Sequence, residues 1–86
     1  MRRFWIAIEP LPYPSNLNLG CGITADTEEE AAGILLEKAA AWNDAVSIKS
    51  IETDIDISSL DERHVLPNIG DIFRRGIWWP KGYGEK

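Results

Sequence analysis

The segment Thr27-Glu-Glu-Glu-Ala-Ala-Gly-Ile-Leu-Leu-Glu-Lys-Ala-Ala-Ala-Trp42 decides the fold, because it carries the clearest helix signal in the chain. Thr27 stands three residues before Glu30, which is the spacing of a capping box, and three consecutive glutamates fill the first turn, where the helix dipole favours anions. The apolar residues then recur at helical spacing and form one stripe: Ala31, Ala32, Leu35, Leu36, Ala39 and Trp42. Asn43-Asp44 indicates the end of the helix. The sequence therefore predicts an amphipathic helix over about residues 28–42.

Two strands are predicted before this helix. Phe4, Ile6 and Ile8 alternate with a mixed set of residues at the odd positions, which is the periodicity of a strand with one apolar face. Residues 10–17 contain three prolines at a spacing of two, and we expect an irregular connection there because each proline removes a donor from a sheet. Residues 18–25 predict a second strand, in which Gly20 and Gly22 indicate a bulge or a close approach of the backbone.

Two more strands are predicted after the helix. Val46 and Ile48 are apolar at even positions, whereas residues 51–57 are apolar at odd positions, so a bulge or break is expected near Lys49-Ser50. Ser58 or Ser59 is expected to cap a short helical turn through residues 60–63, and residues 72–79 predict the last strand. The whole chain, residues 1–86, is thus predicted to be a single α+β domain. It has a single mostly antiparallel sheet of about four strands, with one main helix packed on one face. The order of elements along the chain is ββαβ, then a short helical turn, then β.

The composition limits the class of protein. A length of 86 residues, with 44% hydrophobic and 27% charged residues, corresponds to one globular domain. No apolar run reaches the length of a secretory signal or of a membrane span. The single cysteine excludes an intramolecular disulfide. We therefore expect a cytoplasmic protein that is neither exported nor inserted in a membrane.

Negative charge is concentrated in the middle of the chain. Residues 21–62 carry eleven acidic and two basic side chains, whereas both flanks are net basic. The acids at the start of the helix are explained by its dipole, but five later ones have no such local reason. Three of these, Glu52, Asp54 and Asp56, are expected on one face of the third strand. Clustered like charge opposes folding, and steering a basic partner is one purpose for it, while the competing interpretation is ordinary solubility. The predicted partner-binding residues are these five acids and one tryptophan: Glu52, Asp54, Asp56, Asp61, Glu62 and Trp79.

The C-terminal part mixes positive charge with aromatic residues. Arg74 and Arg75 precede Trp78 and Trp79, a combination also found in proteins that bind single-stranded nucleic acid. The net charge of −5 would repel a phosphate backbone, so nucleic-acid binding is not expected. Because neighbouring residues on a strand face opposite sides, we expect one of the two tryptophans in the core and the other exposed or half-covered.

Catalytic and metal sites have weak support. Cys21 and His64 could supply a nucleophile and a base, with Asp61 or Glu62 orienting the histidine, but the competing interpretation is a buried thiol and a histidine that fixes a turn. One cysteine and one histidine are too few for a structural zinc site, and the spaced Asp/Asn-Gly pattern of a calcium loop is absent. No catalytic residue, metal or cofactor is therefore predicted. A small Cys/His hydrolase or transferase is kept as an alternative, and so is a structural homodimer formed through Trp78 or Trp79 on an edge strand.

Five segments together resemble a group of small uncharacterised bacterial proteins. They are residues 4–10 (FWIAIEP), 19–25 (LGCGITA), 54–58 (DIDIS), 64–68 (HVLPN) and 75–78 (RGIW). The likeness covers most of the chain, and some of these proteins are immunity partners of polymorphic toxins. The resemblance implies a cytoplasmic antitoxin that covers the active site of a toxin, and it carries over no catalytic residue. Together with the charge pattern, it favours a non-enzymatic binding module that docks its acidic residues on a basic toxin domain.

Overall fold

A computed structural model describes residues 1–13, 16–41, 46–60, 65 and 69–80. Four strands form one antiparallel sheet in the order β3-β1-β2-β4: β1 (Arg2–Ile8), β2 (Cys21–Ala25), β3 (Ile48–Thr53) and β4 (Gly76–Trp79). Helix α1 (Glu28–Ala41) connects β2 to β3 and packs on one face of the sheet. The predicted α+β class is confirmed. Within the described ranges, no helix has the length and apolar character needed to cross a bilayer.

The start of α1 follows the predicted capping pattern with one difference. The Glu30 backbone N–H donates to the Thr27 hydroxyl at 3.1 Å, as in a capping box. The Glu30 carboxylate accepts from the backbone N–H of Asp26 at 2.9 Å, one residue before the N-H of a standard box. The helix is described to Ala41, and the predicted stop at Asn43-Asp44 lies outside the described residues.

The first hydrophobic core lies between α1 and the sheet. Phe4 and Ile6 of β1 are buried beside Ala31 and Leu35 of the helix. Direct pairing of Phe4 with Ile23 places apolar residues of β1 and β2 on the same face, because opposite residues in an antiparallel pair share a side. The predicted apolar face of β1 meets the helix through Ala31, Leu35 and Ala39. Leu36, predicted in the same stripe, is exposed, and Trp42 lies outside the described residues.

The predicted bulge near Lys49-Ser50 is confirmed. Ala7 pairs with Ser50, whereas Ile8 pairs with Ile48, so Lys49 is the extra residue on β3. The other three strands that follow β1 in the chain are shorter than predicted. Strand β2 begins at Cys21 because a 3-10 turn occupies Asn16–Leu19, β3 ends at Thr53, and β4 begins at Gly76.

A second hydrophobic cluster covers the opposite face of the sheet. Trp5 of β1 packs there against Trp78, with ring centroids 6.1 Å apart. Segments that follow β3 and precede β4 supply the remaining members: Ile55, Ile57, Leu60, Val65, Ile69 and Ile72. The sheet is therefore covered on both faces, by a helix on one side and by a layer of loops on the other.

Trp78 and Trp79 both belong to this second cluster, so the expectation that one of them is exposed is wrong. Their exposed fractions are 1% and 4%. The pairing of Gly22 with Trp79 and of Ile23 with Ile77 leaves Trp78 as an extra residue on β4. This bulge breaks the alternation of the strand and allows two consecutive indoles to enter one cluster.

Candidate functional site

One end of the sheet gathers most of the charged residues described. Thr53 at the end of β3 pairs with Phe4, and Arg2 pairs with Ala25 at the end of β2. Gly76 at the start of β4 pairs with Thr24 of β2. Because α1 begins shortly after β2, its first turn lies at this same end. The topology thus brings the start of the helix beside acids that are distant in sequence.

Glu52 is exposed on the outer strand β3, opposite Trp5 of β1. Within the described part of the chain its carboxylate has no hydrogen-bond or ion-pair partner. A partner could therefore bind this carboxylate without breaking a side-chain contact among the described residues.

Asp54 lies just beyond the end of β3 and has a φ of 55°. This left-handed conformation is tolerated by Asp better than by most residues, and it ends the extended run. The Asp54 carboxylate lies 3.8 Å from the Arg2 guanidinium, and both side chains are more than half exposed. The expectation that Asp54 and Asp56 continue a strand face is therefore wrong.

Asp56 caps the 3-10 turn Ile57–Ser59. The predicted turn through residues 60–63, with Ser58 or Ser59 as its cap, lies mostly outside the described residues. Its carboxylate accepts from the Ser58 backbone N–H at 3.0 Å and from the Ser58 hydroxyl at 2.7 Å. The side-chain hydrogen bond from Ser58, and then the backbone one, lower the pKa of the Asp56 carboxyl. Asp56 thus has the local structural role that the charge pattern did not reveal.

This hydrogen bonding makes stability depend on pH. The pKa of Asp56 in the folded chain lies below that in the unfolded chain, so the stabilisation is present above the unfolded value of about 3.9 and is lost as pH falls through the folded value. We expect NMR titration of the Asp56 carboxyl carbon to show a lowered midpoint, and Ser58→Ala to raise it. Ser59→Ala is the matched control, because the Ser59 hydroxyl donates to the Asp56 backbone oxygen. A midpoint that Ser58→Ala leaves unchanged would contradict this assignment.

Glu28 is a neighbour of these acids that sequence reasoning missed. The Thr53 hydroxyl donates to the Glu28 carboxylate at 2.8 Å and thereby joins the start of α1 to the end of β3. The helix dipole explained Glu28 locally, and no signal in the sequence paired it with Thr53. We use the name β3-end patch for Glu28, Glu52, Asp54 and Asp56, which are exposed around the end of β3. Glu52, opposite Trp5, lies on the face of the second cluster, whereas Glu28 lies on the helix side. Asp61 and Glu62, predicted for the same surface, lie outside the described residues.

Other acids of the helix start are neutralised by a cation from the opposite edge of the sheet. Arg75 approaches Asp26 at 2.7 Å and Glu30 at 3.1 Å. These two carboxylates are therefore engaged within the chain, in contrast to Glu52. Fewer carboxylates are therefore left unpaired on this surface than the charge pattern of the sequence indicates.

Trp79 is not part of an exposed binding surface. Only 4% of it is exposed, because it packs in the second cluster. A partner contact through Trp79, and a homodimer that uses Trp78 or Trp79 at an edge, both require exposed indoles. The structure gives no such surface, since the other tryptophan is buried too.

Cys21 lies in the first core and has no exposed surface. Burial raises the pKa of its thiol, so the thiolate that a nucleophile requires is disfavoured. The Cys/His alternative therefore loses its nucleophile, while His64 lies outside the described residues. Among the described residues, no group of three or more His, Cys, Asp and Glu is arranged to hold a metal ion.

Comparison with known proteins finds no family, no curated protein sequence and no solved structure that matches this chain. The geometry of its own residues therefore carries the functional argument.

Proposed function

We propose that this protein is a non-enzymatic binding module that docks the β3-end patch on a basic surface of a protein partner. The observation that supports this is the set of four exposed carboxylates from α1, β3 and the segment that follows β3, approached by one described guanidinium, that of Arg2, at 3.8 Å. Such a patch raises the rate of encounter with a positively charged protein and disfavours partners of like charge.

A bacterial toxin domain with a cationic cleft is the class of partner that we propose. An immunity protein covers such a cleft, and its carboxylates take the positions of the anionic groups of the substrate. The patch suits this role because Thr53 connects it to α1, and because Asp56 is held by two hydrogen bonds. Carboxylates already held in place lose less side-chain entropy on binding.

The choice of variants follows from the local roles of these residues. Reversing Asp56 to Lys would also remove a cap, and a Lys at position 54 would be strained by the positive φ. Glu52→Lys removes no polar side-chain contact among the described residues, and Asp54→Asn removes charge while keeping a residue that tolerates this φ. Glu37→Lys is the matched control, because this exposed acid lies about 13 Å from Glu28 along the helix axis.

The test uses the purified product of the adjacent reading frame as the partner in isothermal titration calorimetry. We expect the double variant Glu52→Lys with Asp54→Asn to bind at least about tenfold more weakly than the wild type. Because the contact is electrostatic, added salt should lower the affinity of the wild type more than that of the double variant. Glu37→Lys should bind like the wild type. Cells that express the adjacent product should be protected by the wild type and by Glu37→Lys, and less by the double variant. The proposal would be overturned if the double variant bound with the same affinity as Glu37→Lys, or if the wild type did not bind.

A further inference from the structure

Phe73 is the most exposed large apolar side chain described, with 72% of its surface accessible. It lies in the turn that precedes β4. The Phe73 backbone N–H donates to the Asp71 carboxylate at 2.9 Å, which forms an Asx turn and directs the chain around Phe73. An aromatic ring at this place contributes little to the core, so the second cluster does not explain it.

Three contacts fix the turn on the body of the protein. The Thr24 hydroxyl donates to the Ile72 carbonyl at 2.5 Å, and the Gly70 N–H donates to the Trp78 carbonyl at 2.8 Å. Arg75, at the other end of the turn, pairs with Asp26 and Glu30. The exposed ring is therefore held on a preformed turn, which lowers the entropy lost when a partner covers it.

Two guanidinium groups that have no anionic partner among the described residues accompany the ring. The Arg3 guanidinium lies 5.6 Å from the centre of the Phe73 ring, and its Nε is buried without a hydrogen-bond partner. Arg74, next to Phe73, is exposed and forms no ion pair within the described part of the chain. Three nearby carboxylates already have partners. Asp71 accepts from the Phe73 N–H, and Asp26 and Glu30 pair with Arg75.

We infer that Arg3, Phe73 and Arg74 form a second docking surface, which binds an acidic peptide segment of a protein partner through a carboxylate and an adjacent aliphatic side chain. The aliphatic group packs on the Phe73 ring, and the carboxylate pairs with Arg74 and Arg3. Aromatic and arginine side chains are the residue types that dominate protein interfaces. We call these three residues the Phe73 surface.

This inference goes beyond the proposed function, because the Phe73 surface has the opposite charge and the opposite place on the sheet. Phe73 and Arg74 precede β4, whereas the β3-end patch lies at the other edge strand, three interstrand spacings or about 14 Å away. Arg3 lies between them on β1, where its carbonyl accepts from the Ile55 N–H. A nucleic acid would also meet arginine and an aromatic ring. A nucleic acid carries a charge on every nucleotide and would extend beyond these two arginines toward the acidic patch, whereas a single carboxylate with an adjacent aliphatic side chain needs only the arginines and the ring, so we assign the surface to a peptide.

The experiment is an NMR titration of the full ¹⁵N-labelled chain with a short capped peptide of Glu, Asp and Leu. We expect saturable shifts of the Arg3, Phe73 and Arg74 amides and of the arginine Nε–H signals. The same peptide with Lys in place of its acids, the same peptide with Ser in place of Leu, and oligothymidylate should each cause no saturable shift.

Phe73→Ala and Arg74→Glu should each weaken peptide binding by about tenfold, because the ring and the charge act together. Leu36→Ala is the matched control, since Leu36 is an exposed apolar residue of α1. Dispersed spectra of each variant verify folding, and both positions are exposed. Absence of saturable shifts with the acidic peptide, equal binding of oligothymidylate, or unchanged affinity of Phe73→Ala would overturn the inference. None of these results would affect the Glu52 test, so the two proposals fail separately.

Discussion

Replacement of Trp78 with alanine is expected to lower the free energy of unfolding by about 3–5 kcal/mol, the range for removing a large aromatic side chain from a core. Trp78 is 1% exposed and packs against Trp5 in the second cluster. Because a domain of this size has a free energy of unfolding toward the low end of about 5–15 kcal/mol, the variant should be largely unfolded at moderate urea.

Trp78→Phe separates the loss of packing from the loss of the indole N–H, because phenylalanine keeps an aromatic ring in the cluster. The Trp78 indole N–H is buried without a hydrogen-bond partner, and its removal relieves a desolvation cost of about 1–3 kcal/mol. We therefore expect Trp78→Phe to destabilise the protein far less than Trp78→Ala. Urea unfolding followed by far-ultraviolet circular dichroism measures both, independently of tryptophan fluorescence. A loss below about 1 kcal/mol for Trp78→Ala would contradict the assignment of Trp78 to a core.

Alanine at Gly22 is expected to lower the free energy of unfolding by about 3 kcal/mol, the upper end of the range for overpacking. A methyl group on Gly22 would overlap ring carbons of Trp78. Relief of backbone entropy would by itself favour alanine over glycine in a strand by about 0.5–1 kcal/mol. The steric term dominates because the Trp78 ring is buried against Trp5 and cannot move away cheaply.

Gly33→Ala is the matched control, because the same substitution there has the opposite sign. Gly33 lies on the exposed side of α1, and a methyl group there meets no atom within 4 Å. Alanine should therefore stabilise the helix by up to about 1 kcal/mol. Combining Gly22→Ala with Trp78→Phe should cost less than the sum of the two single changes, since the smaller ring leaves room for the methyl group. Additive losses would show that Gly22 and Trp78 do not compete for space.

Local periodicity predicted the elements that bury one continuous apolar face. The alternation of Phe4, Ile6 and Ile8 and the stripe through Leu35 are properties of a single segment, so they were readable without knowledge of its neighbours. The bulge at Lys49 was readable for the same reason, because a change of parity within one strand requires an extra residue.

Positions whose environment depends on a distant segment were predicted wrongly or missed. One of Trp78 and Trp79 was expected to be exposed or half-covered, but the register of β4 on β2 inserts Trp78 as an extra residue and buries both indoles. Asp56 was taken as a free strand carboxylate, whereas the chain leaves the strand at Asp54 and Asp56 caps the turn that follows. Alternation along a strand holds only while the strand and its pairing are uninterrupted.

The amino-acid sequence determined the class of fold, the helix with its cap, and the acidic character of the central segment, because each depends on residues close together in the chain. The composition of both candidate surfaces depended on the packing of the folded chain. Thr53 meets Glu28 and Arg75 meets Asp26 only after β3 and β4 have taken their places on either side of β1 and β2. These contacts decide which charges are neutralised within the chain and which are left to a partner, and no local pattern encodes them.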